Sequence, residues 1–232
     1  MQVRVQTFFD PATFTASHLV SDPATKASAI IDPVLDFDPR TATISTGSAE
    51  RVLQAVRDQG LTLRYVLETH AHADHLSAGD WIRRRTGAPI VIGSHIGKVQ
   101  KTFIPRFEAF DVEPDGRAFD HLLGDEGELA MGALQVRALH TPGHTPACVT
   151  YVIGDAAFVG DTLFMPDYGT ARADFPGGDA ADLTAPSARS SRCQRRPGSS
   201  SATTTCPLAV PNTGGRPRSP ITEPTTSICM TA

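Results

Sequence analysis

Three imidazoles and one carboxylate fall within six positions, His70, His72, Asp74 and His75, shortly after the apolar run Leu63-Arg64-Tyr65-Val66-Leu67. A run of that kind reads as a short buried strand, so the chain presents these side chains at a strand end. Nitrogen and carboxylate donors at this density suit a metal of borderline softness such as zinc or iron. Alternation along the loop lets His70 and His72 point one way while Asp74 and His75 reach a neighbouring position. A solvated polar turn has no need of four potential ligands so close together.

Two later segments supply partners. In His140-Thr141-Pro142-Gly143-His144-Thr145-Pro146, proline and glycine make a rigid turn at a strand end, which fixes a ligand side chain. His144, inside the turn, is the expected ligand; His140 ends the preceding strand. Asp161, in Val159-Gly160-Asp161-Thr162-Leu163, either caps a helix or supplies the anionic ligand such a site lacks, and the second is the better use of it.

Around these segments the chain alternates short strands and helices. Strands are predicted at residues 3–9, 27–31 (stopped by Asp32-Pro33), 90–92, 134–139, 148–153 and 156–159. One helix, capped by Ser48, turns Val52, Leu53 and Val56 inward; another over 81–85 ends at Gly87. Ligand candidates at strand ends imply an α/β (α+β) fold, two sheets sandwiched by helices with a site along one edge. Cys148 sits in an apolar run and is read as packed, and His18, His95 and His121 as structural or surface residues.

Composition bounds the remaining readings. The 232 residues are 40% hydrophobic and 20% charged, as in a soluble globular protein with a core. A net charge of −4 argues against nucleic acid as a partner. No apolar run approaches the roughly 18 residues a membrane span needs. Met1-Gln2-Val3-Arg4-Val5 opens no secretory h-region, so the expected compartment is the cytoplasm.

The averages conceal a break after residue 183. Ser, Thr and Pro fill 24 of the 49 positions of 184–232, with six arginines, one acid (Glu223), no histidine and no aromatic residue. Cys193, Cys206 and Cys229 lie here without metal-binding spacing. Such a segment is expected to be a disordered tail behind a domain at 1–183, because it cannot bury enough apolar surface to offset the entropy of ordering it.

The set H-x-H-x-D-H, then T-P-G-H-T, then G-D resembles the metallo-β-lactamase superfamily over about residues 1–183. The resemblance implies an αββα sandwich with a metal site at one edge. Three segments look like its persulfide dioxygenase (ETHE-like) branch: residues 69–79, Ile31-Asp32-Pro33-Val34-Leu35, and Asp167 to Phe175, with its Arg172-Ala173-Asp174-Phe175. In that branch one iron(II) is held by two histidines and a carboxylate, which match His70, His144 and Asp161. The implied reaction is oxidation of glutathione persulfide by O₂ to sulfite and glutathione. His72, Asp74 and His75 then orient the ligands or mark a vestigial second metal position. Asp74 and Arg172 are candidate catalytic residues, Arg172 as an anchor for a substrate carboxylate or as the ion-pair partner of Asp174. A homodimer is compatible with this reading.

The competing resemblance is a glyoxalase-II-like hydrolase with one or two zinc ions acting on a thioester or lactone. Against it, Ala71 stands where that branch has an extra histidine, no helical substrate domain follows, and no histidine follows His144. That missing histidine points back to the tail. With one nucleotide lost near the codons of Leu183 and Thr184, serine codons beginning with T become codons for Phe, Leu, Ile, Met or Val. Threonine codons then supply His, Asn, Asp or Tyr. Permissible codons give a helical apolar period and then RLFLCHDY, so 184–232 is expected to be a frameshifted terminus. An inactive truncated family member is the third reading.

Overall fold

Residues 28–31 lie between the strands at 15–21 and 62–67, and Ala29, Ile30 and Ile31 are wholly buried. Apolar side chains on both faces mark a strand covered on both sides. The computed structural model describes residues 2–72, 74–164, 169 and 171–184, with an isolated strand at 208–209. In chain order the elements are β1 (Arg4–Asp10), β2 (Thr15–Ser21), β3 (Ala27–Ile31), β4 (Val34–Asp38), β5 (Thr43–Ser45) and α1 (Gly47–Asp58). There follow β6 (Thr62–Leu67), β7 (Leu76–Ser77), α2 (Gly79–Thr86), β8 (Ile90–Gly93), α3 (Ile96–Phe103) and β9 (His121–Leu123). The second half holds β10 (Glu128–Met131), β11 (Leu134–His140), β12 (Val149–Ile153), β13 (Ala156–Phe158), α4 (Ala180–Thr184) and β14 (Leu208–Ala209).

A six-stranded sheet runs β1-β2-β3-β6-β8-β9 and a five-stranded sheet β10-β11-β12-β13-β14. Val20, Ala29, Ile31 and Leu67 of the first sheet meet Val136, Tyr151, Ile153 and Phe158 of the second in the central core. The alternate residues Leu19, Ile30 and Val66 face outward onto α1 and α2, through Val52, Leu53, Val56 and Ile82. This is the expected sandwich, with its helical layer on the first sheet formed by α1 and α2.

Strand direction places the site. β3, β6 and β8 are parallel, so their carboxyl ends share one edge, the usual position of ligands in such sheets. In the second sheet β11 and β13 are both antiparallel to β12, so they too end together. Thr69 C=O accepts the Val149 N–H at 2.9 Å, which joins the two sheets beside that edge.

The predicted strands and both helices are present, with differences at the ends. Helix α1 begins at Gly47, and Ser48 is not its cap. Ser48 donates its hydroxyl and its N–H to Asp36 of β4, so a carboxylate from a neighbouring strand satisfies the helix start. Gly87 ends α2 at φ +74°, as expected. Strand β2 and helix α3 were not foreseen; β2 buries Ser17, His18 and Ser21, polar residues that hid its strand pattern. Among the described residues no helix is long and apolar enough to cross a membrane. The tail expected at 184–232 lies, apart from Thr184 and β14, outside the described residues.

His18 stands between the sheets, opposite Thr7, whose hydroxyl is 3.0 Å from Nδ1, and against the Phe158 ring. Burial, only partly offset by the charge of Asp32, lowers its pKa from 6.5 to about 4. Between those values the unfolded chain binds the extra proton, so stability is full above pH 6.5 and is lost as the pH falls towards 4. The loss is up to about 3 kcal/mol. Urea unfolding from pH 7.5 to 4 should show a shallower decline in His18→Gln than in the parent.

Candidate metal centre

His70 follows β6, His144 sits in the turn between β11 and β12, and Asp161 follows β13. Their ligand atoms lie within 4.8 Å of one another. Asp161 Oδ2 is 3.9 Å from His70 Nε2 and 3.6 Å from His144 Nε2, and the imidazoles meet edge to face at 5.2 Å between centroids.

Hydrogen bonds fix the tautomers. His144 Nδ1 is 3.0 Å from the carbonyl of Arg172; a carbonyl only accepts, so Nδ1 carries the proton and Nε2 is left with its lone pair. Thr69 donates its hydroxyl to Asp32 at 2.8 Å and therefore accepts from His70 Nδ1 at 3.0 Å. His70 Nε2 is thereby free as well. Burial and the adjacent His72 charge hold His70 well below the ordinary imidazole range, hence neutral. Burial raises Asp161, against the opposing charge of His144. Two imidazole nitrogens and one carboxylate, so oriented, fit a divalent metal.

His72 is turned elsewhere. Its Nε2 lies 3.3 Å from Asp32 Oδ1 and 3.4 Å from Glu68 Oε2, all three side chains being less than 10% exposed. Burial opposes the charge, but the two carboxylates outweigh it and hold His72 well above its ordinary pKa. Asp32 is pushed up by burial yet kept at about 2 by His72. An imidazolium between two carboxylates offers no Nε2 lone pair. Asp74 and His75 pair with each other at 3.3 Å, Asp74 being 61% exposed and His75 Nε2 buried without a hydrogen-bond partner. The loop thus brings His72, Asp74 and His75 together as a second group, with the His72 ring 4.1 Å from that of His70.

A model of the metallo-beta-lactamase superfamily matches residues 11–196. The chain belongs to that superfamily. It is 52% identical over 190 residues to a Burkholderia pseudomallei protein named "probable metallo-hydrolase", covering 77% of this chain and 65% of that one. It is 49% identical over 180 residues to the beta-lactamase hydrolase-like protein of Xylella fastidiosa, covering 78% and 42%. Human mitochondrial persulfide dioxygenase ETHE1 is 28% identical over 183 residues, covering 78% and 60%. The chain therefore spans 42–65% of the length of these relatives. The crystal structure of ETHE1 from Myxococcus xanthus superposes with a TM-score of 0.61 at 30% identity, covering 78% of this chain and 66% of that one.

Gly160, next to Asp161, adopts φ +50°, and a Cβ there would run into the Thr69 side chain. Gly160→Ala is expected to displace Thr69, free the His70 ring and weaken metal binding about 10–100-fold. Competition with a chromophoric chelator measures this. Arg172 is exposed and forks onto Asp174 at 2.6 and 2.9 Å; its backbone carbonyl, which holds His144, is its contact with the centre. Residues 165–168 and 170 of the loop that precedes it lie outside the described residues.

Two features escaped the sequence. Phe175 packs 5.6 Å from the His144 ring and 5.4 Å from Phe103, closing one side of the centre. His140 joins His95 and Asp125 in a separate group, its Nε2 donating to the Pro146 carbonyl at 3.0 Å. Burial pushes the Cys148 thiol up to about 12, which agrees with a packed cysteine.

Proposed function

We propose that the chain is an iron-dependent persulfide dioxygenase. It oxidises a low-molecular-weight thiol persulfide, glutathione persulfide being the one the resemblance names, with one iron(II) per chain on His70, His144 and Asp161. The observation that carries this reading is His72. A two-metal hydrolase needs that imidazole as a third nitrogen ligand, whereas here Asp32 and Glu68 hold its Nε2 at 3.3 and 3.4 Å. Two histidines and one carboxylate leave coordination positions open. Iron bound there supplies the redox chemistry that joins O₂ to the terminal sulfur. The chain itself orients His144 through the Arg172 carbonyl, holds His70 through Thr69, and screens one side with Phe175. The balanced reaction is RSSH + O₂ + H₂O → RSH + SO₃²⁻ + 2H⁺.

A zinc-dependent thioester or lactone hydrolase is the second reading. It is favoured by the orphaned Nε2 of His75 beside Asp74, a partial second metal position. Metal analysis with oxygen uptake separates the two. One iron per chain with O₂ consumption and sulfite release supports the dioxygenase; two zinc ions with thioester cleavage and no O₂ uptake overturn it.

A further inference from the structure

A cavity of about 890 Å³ opens beside the metal-binding loop, touching it at Ala71, His72, Asp74 and His75. Phe175 belongs to both places: its ring packs on His144 and also lines the cavity. Away from the loop the wall is hydrocarbon, built by Leu35 and Phe37 of β4, Ile96, Val99 and Phe103 of α3, and Phe107 beyond it. Phe103 and Phe107 stack at 5.8 Å, and Phe107 is 75% exposed at the mouth. Gln100 and Thr13 are the uncharged polar side chains of the wall, and among the described lining residues there is no lysine or arginine. Arg106 lies over the Phe103 ring at 5.8 Å and is not a lining residue.

This volume lies in the usual range for small-molecule sites and admits a tripeptide or an alkyl chain equally, so the lining decides. Glutathione carries two carboxylates and an ammonium group, and desolvated charges need partners. Asp74 at the loop end repels carboxylates, no lining lysine or arginine attracts them, and the His72 imidazolium is already held by Asp32 and Glu68. Arg172, the cation the sequence offered for that task, is committed to Asp174. A hydrocarbon chain is matched along its whole length.

We infer that the organic group of the substrate is apolar: the cavity between β4 and α3 takes the alkyl or aryl arm of a hydrophobic persulfide, whose S–SH end lies at the metal-binding loop. This rests on the dioxygenase reading for its reaction. The S–S bond breaks, four electrons pass from the persulfide to O₂, and the terminal sulfur leaves as sulfite while the hydrophobic thiol is released.

Oxygen uptake by the iron-loaded full chain is to be compared for butyl, hexyl and glutathione persulfides, alongside calorimetric binding of hexanethiol and glutathione. Hexyl persulfide should exceed glutathione persulfide in kcat/KM by tenfold or more. It should exceed the butyl compound by about tenfold, the worth of two buried methylenes. Phe107→Glu, at a position already mostly exposed, should erase the hexyl-over-butyl advantage. Equal or better turnover of glutathione persulfide, or no dependence on chain length, overturns the inference. If no persulfide drives O₂ uptake, the dioxygenase reading fails by itself. The arm is then judged by calorimetry: tighter binding of hexanethiol than of glutathione supports it, and the reverse overturns it.

Discussion

Alanine at His70, His144 or Asp161 should strip the protein of its metal and reduce turnover at least 1,000-fold, on the order of the loss when a group essential to the chemistry is removed. These three side chains supply all the ligand atoms of the first group, and each is oriented by the end of a different strand. Asp74→Asn discriminates between the two readings. With a single iron on the first group, this variant still carries one metal per chain. With two zinc ions it loses the second and falls from two to one. Metal content by emission spectroscopy, on protein purified in parallel, is the measurement. A His144→Ala protein that kept full metal occupancy would remove the basis of the assignment.

Inserting one nucleotide near the codons of Leu183 and Thr184 should give a chain that melts about 10 °C higher than the present one, a gain of several kcal/mol for a domain of this size. We propose this because 184–232 has the composition expected of a shifted frame, and because its restored reading supplies a helical segment and then RLFLCHDY. Two observations support it. The relatives match 77–78% of the chain, about the share taken by residues 1–183, although the superfamily match itself runs on to residue 196. On the side of β13 away from β12 the structure places only the two-residue parallel strand Leu208–Ala209 among the described residues. The restored protein should also turn over faster, since a strand and a helix of the sandwich return. Sequencing the coding DNA is the prior test: if no single-base insertion yields that frame, the proposal falls.

The ligands were legible because their signal is local. A histidine three residues beyond an apolar strand, or inside a Pro-Gly turn, is placed by its own neighbours, and His70, His144 and Asp161 converge as the family resemblance implied. What stayed hidden depends on residues remote in sequence. Asp32 reads as a strand stop inside a family-like segment and Glu68 as nothing in particular, yet both reach His72 and decide which way it points. The two readings of Arg172 could be separated only once its fork was seen on Asp174. His95 and His140, 45 positions apart, stack at 4.0 Å because β8 and β11 end at the same edge. The cavity wall was equally opaque: Leu35 and Phe175 fall in separate family-like segments and Val99 in none, and only the fold brings them to one space.

Asp32 adopts φ +47°, a conformation uncommon for a residue with a side chain, and all its polar groups are engaged. Its N–H reaches Leu67, its carbonyl takes the Ser17 hydroxyl, and its carboxylate gathers Thr69 and His72. One residue thus ties the first sheet's backbone to the orientation of the His70 ring, and an ion bound by His70, His144 and Asp161 would act as a removable rivet between the sheets. Shelf life and heat tolerance of a preparation then become properties of its buffer: trace metal lengthens them, and a chelating additive works as a slow denaturant.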